Sequence, residues 1–285
     1  MTKHKKIVFS GNIEDETSFL SIQSLIDKYQ EKGVQAVLVD PLNNQDNNSK
    51  MDNAELIVSI GGDGTMLQSA KLAYQYDIPV TGINKGRLGF LTDISPQEAE
   101  HVLDEIISGN YKTENRMLIE ASISTNTINK SIGYAFNDIV INRKETGRMI
   151  RVETTIDNSF INIHEGDGFI VATPTGSTAY SLSCGGPILK PDVEALLLVP
   201  ICPHSLNDRP MVVPSSSEII LRYDSDHNVT AGIDLDGDTV SEMKMGDDLV
   251  IKKAAKSICL LHPKNYDYFD NLKSKLLWGK DKRHE

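Results

Sequence analysis

The first third of the chain repeats one pattern, in which a short apolar run is followed by a longer segment whose apolar residues recur every three or four positions. Short apolar runs bounded by turn residues predict buried strands, and the longer period predicts amphipathic helices. In the segment 14–32, for example, Phe19, Ile22, Ile26 and Tyr29 fall on one helical stripe. The pattern predicts strands at 6–9, 34–39, 56–60 and 78–83, and helices at 14–32, 66–76 and 96–108. Strands that alternate with helices are typical of a doubly wound α/β domain.

The pattern changes at about Tyr111, after which short alternating runs are separated by turn residues. Such runs predict an antiparallel all-β domain. They lie at 118–124, 134–142, 150–157, 160–164, 169–172, 218–223, 229–235 and 249–252. A last strand at 258–261 and a helical segment at 266–277 indicate that the C-terminus packs back on the first domain. The sequence therefore predicts an α/β domain at 1–110 together with about 263–285, and an all-β domain at 111–262.

The composition narrows the class of protein. Of the 285 residues, 39% are apolar and 24% charged, as in a globular protein, and the polar stretch 43–53 predicts a surface loop. The net charge of −11 argues against general nucleic-acid binding, because a polyanion would be repelled. No apolar run reaches membrane-spanning length, and three cysteines without paired spacing argue against a disulfide framework or a zinc site. We therefore expect a cytoplasmic protein that binds neither nucleic acid nor membranes.

The strand predicted at 56–60 ends on a glycine-rich turn, GGDGT at 61–65, with a helix after it. Glycines let a ligand approach the backbone, and a helix N-terminus offers free N–H groups, so we interpret this turn as a phosphate-binding site. Its phosphate-binding residues are Gly61, Gly62, Gly64 and Thr65. The carboxylate of Asp63 would repel phosphate unless it holds a cation or accepts the proton of an attacking hydroxyl. The alternative is a tight turn in which Asp63 caps the helix.

Neither of the two common nucleotide-binding loops, GxGxxG and GxxxxGK[ST], occurs in the chain. A second glycine-rich turn, at 84–91, carries two cations and Phe90. These side chains suit a phosphate and a base, although a surface turn with solvated charges fits equally well.

Three polar clusters stand out in the β domain. Asn137 and Asp138 interrupt an apolar run, where neighbouring side chains of a strand face opposite ways, so one of the two should point inward and need partners. A strand bend or tight turn is the alternative. The stretch 173–183, TPTGSTAYSLS, follows the GDG at 166–168 and predicts a donor-rich loop suited to phosphates or ribose. The segment 234–238, DLDGD, lacks the rest of a calcium loop and predicts a β-hairpin with an Asp-Gly turn.

Taken together and in this order, these motifs resemble NAD kinases. The resemblance is carried by GGDGT at 61–65, Asn137-Asp138, GDG at 166–168, TPTGSTAYSLS at 173–183 and the DGD turn at 236–238. It extends to Gly82-Ile83-Asn84, Gly89-Phe90-Leu91 and His262-Pro263-Lys264, and covers the chain from about Glu55 to Trp278. GGDG alone is shared with lipid kinases and phosphofructokinases, whereas its combination with TPTGSTAY is far more specific.

The resemblance implies an enzyme that phosphorylates the 2′-hydroxyl of the adenosine ribose of NAD with ATP and a divalent cation, Mg²⁺ or Mn²⁺, to give NADP. It implies that Asp63 is the catalytic base or activator of that hydroxyl. It also implies a homodimer or homotetramer assembled through the β domain. The residues expected to bind NAD are Asp63, Gly64, Phe90, Asn137, Asp138, Arg148, Glu165, Asp167, Thr175, Thr178, Ala179, Tyr180, Ser181, Leu182, Ser183 and Asp238.

The chain departs from the family pattern at three positions. Asp138 stands where the family usually has Glu, Glu165 where it usually has a basic residue, and Asp238 where it often has Gln. Two other functions share some of these motifs. A lipid kinase would need an exposed apolar entrance, for which the apolar run 195–199 is the one candidate, although core packing explains that run equally well. A non-catalytic NAD sensor would not need Asp63.

Overall fold

The computed structural model describes residues 6–12, 15–42, 47–86, 88–125, 129–144, 148–224 and 230–278. They belong to two compact units, one formed by residues 1–115 with 258–285 and the other by residues 116–257. The boundaries predicted from the sequence, at 110 and 262, lie a few residues from these. The architecture predicted from the sequence, an α/β unit followed by an antiparallel β unit, is confirmed.

The first unit is built on a parallel sheet with the strand order β2-β1-β3-β4, and the end of β16 lies beside β4. Its strands are β1 (Lys6–Gly11), β2 (Gln35–Val39), β3 (Leu56–Ile60), β4 (Val80–Ile83) and the last residues of β16 (Asp248–His262). Its helices are α1 (Glu16–Glu31), α2 (Asn47–Met51), α3 (Asp63–Tyr76), α4 (Ala99–Ser108) and α6 (Tyr268–Leu276).

The order of the strands decides where a ligand can bind. The chain leaves β1 on one side to form β2 and returns on the other side to form β3. The carboxyl ends of β1 and β3 therefore flank a topological switch point, the place where open α/β sheets bind ligands. Every residue of β1 and β3 is buried, as expected for strands covered on both faces.

Two predictions for this unit are corrected by the structure. Ile22, Ile26 and Tyr29 of α1 are buried as predicted, but Phe19 is 37% exposed, so the buried stripe begins one turn later. The polar stretch 43–53 is not a loop throughout, because residues 47–51 form α2 and Met51 is buried. The buried Met51 side chain packs this short helix against the rest of the unit. Residues 43–46 lie outside the described part of the chain.

The second unit is antiparallel and has two sheets. One has the order β12-β11-β10-β7-β14-β15, and in the other β13 lies between the first half of β16 and the pair β8-β9. A further pair, β5 and β6, adjoins β16. The strands are β5 (Lys112–Ser124), β6 (Asn129–Ala135), β7 (Asp138–Arg143), β8 (Ile150–Ile156), β9 (Ser159–Gly166), β10 (Gly168–Ala172), β11 (Ala195–Ile201), β12 (Met211–Pro214), β13 (Ile219–Tyr223), β14 (Ala231–Leu235) and β15 (Asp238–Met243). Apolar side chains of both sheets share one buried core.

The structure also corrects three strand predictions in this unit. The run 134–142 is not one strand, because the backbone bends at Phe136 and Asn137 between β6 and β7. The runs at 249–252 and 258–261 are parts of the single strand β16. The apolar run at 195–199 lies in β11, which is buried along its whole length, so it is core and not an entrance for an apolar substrate. No helix among the described residues is long and apolar enough to span a bilayer.

Candidate active site

The glycine-rich turn lies where the sequence predicts it, at the carboxyl end of β3 and the start of α3. Helix α3 begins at Asp63, three residues before the predicted start, because Gly62 takes the extended backbone of an N-cap and Asp63 enters the first turn. The carboxylate does not cap the helix, since no side chain accepts a cap hydrogen bond there. Gly64 is exposed, whereas a Cβ on Gly61 would lie 2.4 Å from Thr65 Oγ1. The start of this 14-residue helix is thus open to an anion at the exposed Gly62 and Gly64.

The carboxylate of Asp63 is held by the backbone of another turn. The N–H of Phe90 donates to Oδ2 and the N–H of Leu91 donates to Oδ1, both at 3.0 Å. Gly89 allows this approach, because a Cβ at that position would lie 2.1 Å from Asp63 Oδ1. Each oxygen of an ionised carboxylate has two lone pairs, so both oxygens can still accept a proton or a further hydrogen bond.

A group of buried serine hydroxyls lies beneath the turn and was missed by sequence analysis. The Ser69 hydroxyl of α3 lies within hydrogen-bond distance of the hydroxyls of Ser10, at 3.0 Å, and Ser59, at 2.9 Å, and none of the three side chains is exposed. These contacts fasten the ends of β1 and β3 to α3 on both sides of the switch point. A serine inside an apolar strand run, as at Ser10 and Ser59, is the signal that could have revealed the group.

The second glycine-rich turn contributes Phe90, whose half-buried ring lies 5.7 Å from the Lys275 ammonium. A cation at this distance is attracted to the face of the ring. The alternative of solvated surface charges holds for Lys85, which is exposed and pairs with Asp15 at 3.0 Å. Arg87 lies outside the described residues.

In the second unit, Asn137 lies in the bend between β6 and β7, Asp138 is the first residue of β7, and Asp236 organises that bend. The carboxylate of Asp236 accepts the backbone N–H groups of Phe136 at 3.0 Å, Asn137 at 2.7 Å and Asp138 at 3.3 Å. Asp236 and Gly237 form the predicted two-residue hairpin turn between β14 and β15, both with positive φ. The sequence predicts this turn, but it predicts no role for Asp236 beyond the turn itself.

A cavity of about 310 Å³ lies beside this bend. It is lined mainly by Asn137, Asp138, Ala179, Tyr180, Asp234 and Asp236. The Asp138 side chain is buried, and burial raises its pKa from 3.8 to about 7, helped by the negative charges of Asp236 and Asp234. Near neutral pH this carboxyl can therefore either donate a hydrogen bond or accept one. The structure brings four of the sequence-predicted residues, Asn137, Asp138, Ala179 and Tyr180, into this one cavity.

The hydroxyl-rich stretch is not a loop throughout. Thr175–Thr178 forms a 3₁₀ turn and Tyr180–Ser183 forms the short helix α5. The short helices turn some of the hydroxyls inward. Thr175 accepts a hydrogen bond from the buried Arg116 at 3.2 Å, and Ser181 is fully buried next to Gly186. Thr178, Ala179 and Leu182 are half-buried, and Tyr180 and Ser183 are exposed.

The remaining predicted residues of this unit do not line the cavity. Asp167 forms an ion pair with Arg143 at 2.9 Å, which fixes the GDG segment to β7. Glu165 is exposed on β9, with Arg151 3.9 Å away. Arg148 and Asp238 are exposed, one before β8 and the other directly after the hairpin turn.

Comparisons with known proteins agree with these motifs. A family model described as the ATP-NAD kinase N-terminal domain matches residues 5–111, and one described as the ATP-NAD kinase C-terminal domain matches residues 136–262. The NAD kinase of Pseudoalteromonas translucida (strain TAC 125) is 43% identical over 228 residues, which cover 80% of this chain and 78% of that protein. The NAD kinase of Cellvibrio japonicus (strain Ueda107) is 36% identical over 293 residues and 98% of each chain.

Solved structures are similar over nearly the whole chain. The yeast NADH kinase complexed with NADH superimposes with a TM-score of 0.88 at 25% identity, over 99% of this chain and 89% of that one. An NAD kinase from Archaeoglobus fulgidus in complex with ATP gives a TM-score of 0.73 at 26% identity, over 95% of this chain and 98% of that one.

Proposed function

The chain belongs to the NAD kinase family and phosphorylates NAD with ATP, and from this premise we propose that Asp63 is the catalytic base that accepts the proton of the ribose 2′-hydroxyl. The observation that carries the proposal is the pair of 3.0 Å hydrogen bonds from the N–H groups of Phe90 and Leu91, which fix the carboxylate in one orientation. A positioned carboxylate is suited to this step, because phosphoryl transfer depends mostly on placing the acceptor hydroxyl and removing its proton.

The first turn of α3 receives the phosphates of ATP in this proposal. The free N–H groups at a helix N-terminus and the positive end of the helix dipole favour an anion there. Gly62 and Gly64 are exposed and leave the backbone open to it, Gly61 is buried against Thr65, and Thr65 adds a hydroxyl. The net charge of −11 gives no general attraction for a nucleotide, so binding depends on these local donors.

The cavity of the second unit binds part of the dinucleotide. Asn137 can donate and accept at the edge of a base or at a ribose, and ionised Asp138 can accept from a pair of ribose hydroxyls. Asp138 has a shorter side chain than the family's usual glutamate, so we expect the hydroxyl pair to come closer to β7. Tyr180, which lines the cavity and is 46% exposed, offers an aromatic surface for a ring of the ligand.

A divalent cation, Mg²⁺ or Mn²⁺, is expected to arrive on the phosphates of ATP. The described residues contain no group of three His, Cys, Asp or Glu side chains placed to hold a metal. Mg²⁺ does not need such a group, because it keeps several waters and binds through substrate phosphates with one or two carboxylates. When bound, the cation would neutralise charge on the phosphates, and Asp63 of the first unit is the carboxylate that we expect to assist it.

Assembly and location complete the proposal. A homodimer or homotetramer is supported by β9, an edge strand on which Phe160 is 60% and Ile163 38% exposed, because an exposed apolar edge is a template for pairing with a second copy. A cytoplasmic location is supported by the cysteines, since Cys184, Cys202 and Cys259 are all free.

Asp63→Asn tests the central assignment. The amide keeps the shape of the side chain but cannot accept the proton, so we expect NADP formation from NAD, ATP and Mg²⁺ to fall by at least about 10²-fold. Calorimetric titration should show NAD affinity within about 3-fold of wild type. Full activity in this variant would show that the proton leaves by another route.

A further inference from the structure

His262, the last residue of β16, has no part in the proposed chemistry, yet it is one of the most enclosed titratable side chains of the first unit. It is 3% exposed, and its ring stacks on Tyr266 with centroids 3.9 Å apart and an interplanar angle of 9°. Its Nδ1 lies 2.8 Å from Asp93 Oδ2, and its Nε2 lies 3.2 Å from Glu114 Oε2. A histidine between two carboxylates carries positive charge more readily than one in water.

Asp93 closes the turn that holds the catalytic carboxylate. We define residues 89–93 as the clamp turn, because the N–H groups of Phe90 and Leu91 within it donate to Asp63. At its start, Gly89 donates to Thr92 O at 3.1 Å. Directly after its end, Ile94 donates to Gly82 of β4 at 3.3 Å and accepts from Asn84, the residue after β4, at 2.9 Å.

The contact with His262 is therefore a second support for the clamp turn. The Asp93 side chain is only 7% exposed, and a carboxylate so buried is stable only when it is paired. Without the imidazole, Asp93 would have to take up a proton or move towards water. Either change alters the end of the clamp turn, three residues from the N–H group of Phe90 and two from that of Leu91.

We infer that His262 is a positioning residue, which fixes the orientation of Asp63 through Asp93 and the clamp turn. This inference rests on the proposed role of Asp63. His262 touches neither substrate nor reacting atoms in this arrangement, and it acts by keeping two backbone N–H groups aligned with the carboxylate. A displacement of roughly 1 Å at a catalytic group can cost about 10²-fold in rate.

The charge of His262 gives the inference a pH signature. Burial alone lowers its pKa, but the hydrogen bonds and charges of Asp93 and Glu114 outweigh that effect, and the net pKa is raised above 6.5. The groups that face the ring are Asp93 of the clamp turn, Glu114 of β5 and the Tyr266 ring. As pH rises through the raised pKa, the ring loses its charge and one donor, so the support for Asp93 weakens.

Steady-state kinetics of His262→Ala, His262→Gln and Tyr29→Phe test the inference. We expect kcat to fall by about 10- to 100-fold in His262→Ala, and less in His262→Gln, whose amide can still donate to Asp93. The KM for NAD should stay within about 3-fold, because the dinucleotide cavity is not altered. Tyr29→Phe is the matched control, since it removes a hydroxyl that lies within hydrogen-bond distance of Glu100 O and Asp104 Oδ1 in the same unit without touching the clamp turn, and its kcat should stay within about 2-fold.

Two further readouts separate positioning from general destabilisation. Wild-type kcat should decline at alkaline pH as His262 loses its charge, and this decline should be absent in His262→Gln. In a Gly89→Ala background Asp63 is already displaced. Adding His262→Gln should therefore lower kcat by less than about 2-fold further, because both changes act on the same carboxylate.

Several results would overturn the inference. The first is a wild-type kcat in folded His262→Ala. The second is a loss of kcat in Tyr29→Phe as large as that in His262→Ala. The third is a loss of kcat in the Gly89→Ala, His262→Gln double variant equal to the product of the two single losses. If His262→Ala does not fold, His262→Gln and the double variant decide the matter alone. Full activity in Asp63→Asn would refute the proposed base itself, whereas an inactive Asp63→Asn with a fully active His262→Ala would refute only the positioning role.

Discussion

The close approach of Gly89 to Asp63 gives a direct test of how strictly the carboxylate must be placed. In Gly89→Ala, the added Cβ would lie 2.1 Å from Asp63 Oδ1, 2.3 Å from Thr92 Oγ1 and 3.0 Å from Asp63 Cγ. Ordinary contacts of a Cβ are longer than 3.0 Å, so the carboxylate oxygen must move by roughly 1 Å, and the Thr92 hydroxyl must move as well.

This displacement determines the size of the effect. Moving the carboxylate away from Gly89 lengthens the hydrogen bonds from Phe90 and Leu91, and the catalytic group loses its fixed orientation. A shift of this size in a reacting group costs about 10²-fold in rate, so we expect kcat to fall by about 10²-fold. NAD affinity should change little, because the bend that carries Asn137 and Asp138 is untouched.

The assay is NADP formation coupled to an NADP-specific dehydrogenase, with saturating ATP and Mg²⁺. The matched control is Gly109→Ala, where φ is +92° and no neighbour lies within 4 Å of the added Cβ. It should lower the free energy of unfolding by about 1 kcal/mol through backbone strain and leave kcat unchanged. If Gly89→Ala were folded and fully active, or if Gly109→Ala lost as much activity, the strict placement of Asp63 would be refuted.

Three further changes test the second unit. The folded protein holds the Asp138 proton more tightly than the unfolded chain does, because the pKa of Asp138 is raised from 3.8 to about 7. As pH rises from about 4 to 7, the free energy of unfolding should therefore fall by up to ~1.4 kcal/mol per pH unit. Urea titrations of Asp138→Asn should lack that slope. Asp236→Ala removes the acceptor for the three N–H groups at the bend and should cost about 2 kcal/mol in urea unfolding and raise the NAD dissociation constant measured by calorimetry. Phe160→Lys should lower the molar mass measured by light scattering after size exclusion without lowering the melting temperature of the protomer, and an unchanged mass would exclude this edge of β9 as the interface.

Much of the fold was predictable, because local periodicity is a property of consecutive residues. The alternation of strands and helices in the first unit follows from apolar spacing, and the two-residue hairpin at 236–237 follows from its Asp-Gly sequence. The break between β6 and β7 could not be predicted in the same way. It depends on Asp236, about 100 residues further along the chain, which draws the N–H groups of Phe136 and Asn137 out of the strand ladder.

The same limit explains which parts of the site were found. Asp63 and the pair Asn137-Asp138 were found because each stands out from its neighbours in sequence. The partners that fix them were not, since the clamp turn is 27 residues from Asp63 and the hairpin turn 99 from Asn137. In both places one carboxylate accepts the backbone N–H groups of a distant turn, but the roles are reversed. The clamp turn fixes Asp63, the carboxylate proposed to act on the substrate. Asp236, in contrast, is the carboxylate that fixes the bend next to the proposed NAD-binding residues. Substitutions at these two supporting residues should therefore separate kcat from NAD affinity. A substitution of Gly89 should lower kcat, and a substitution of Asp236 should weaken NAD binding.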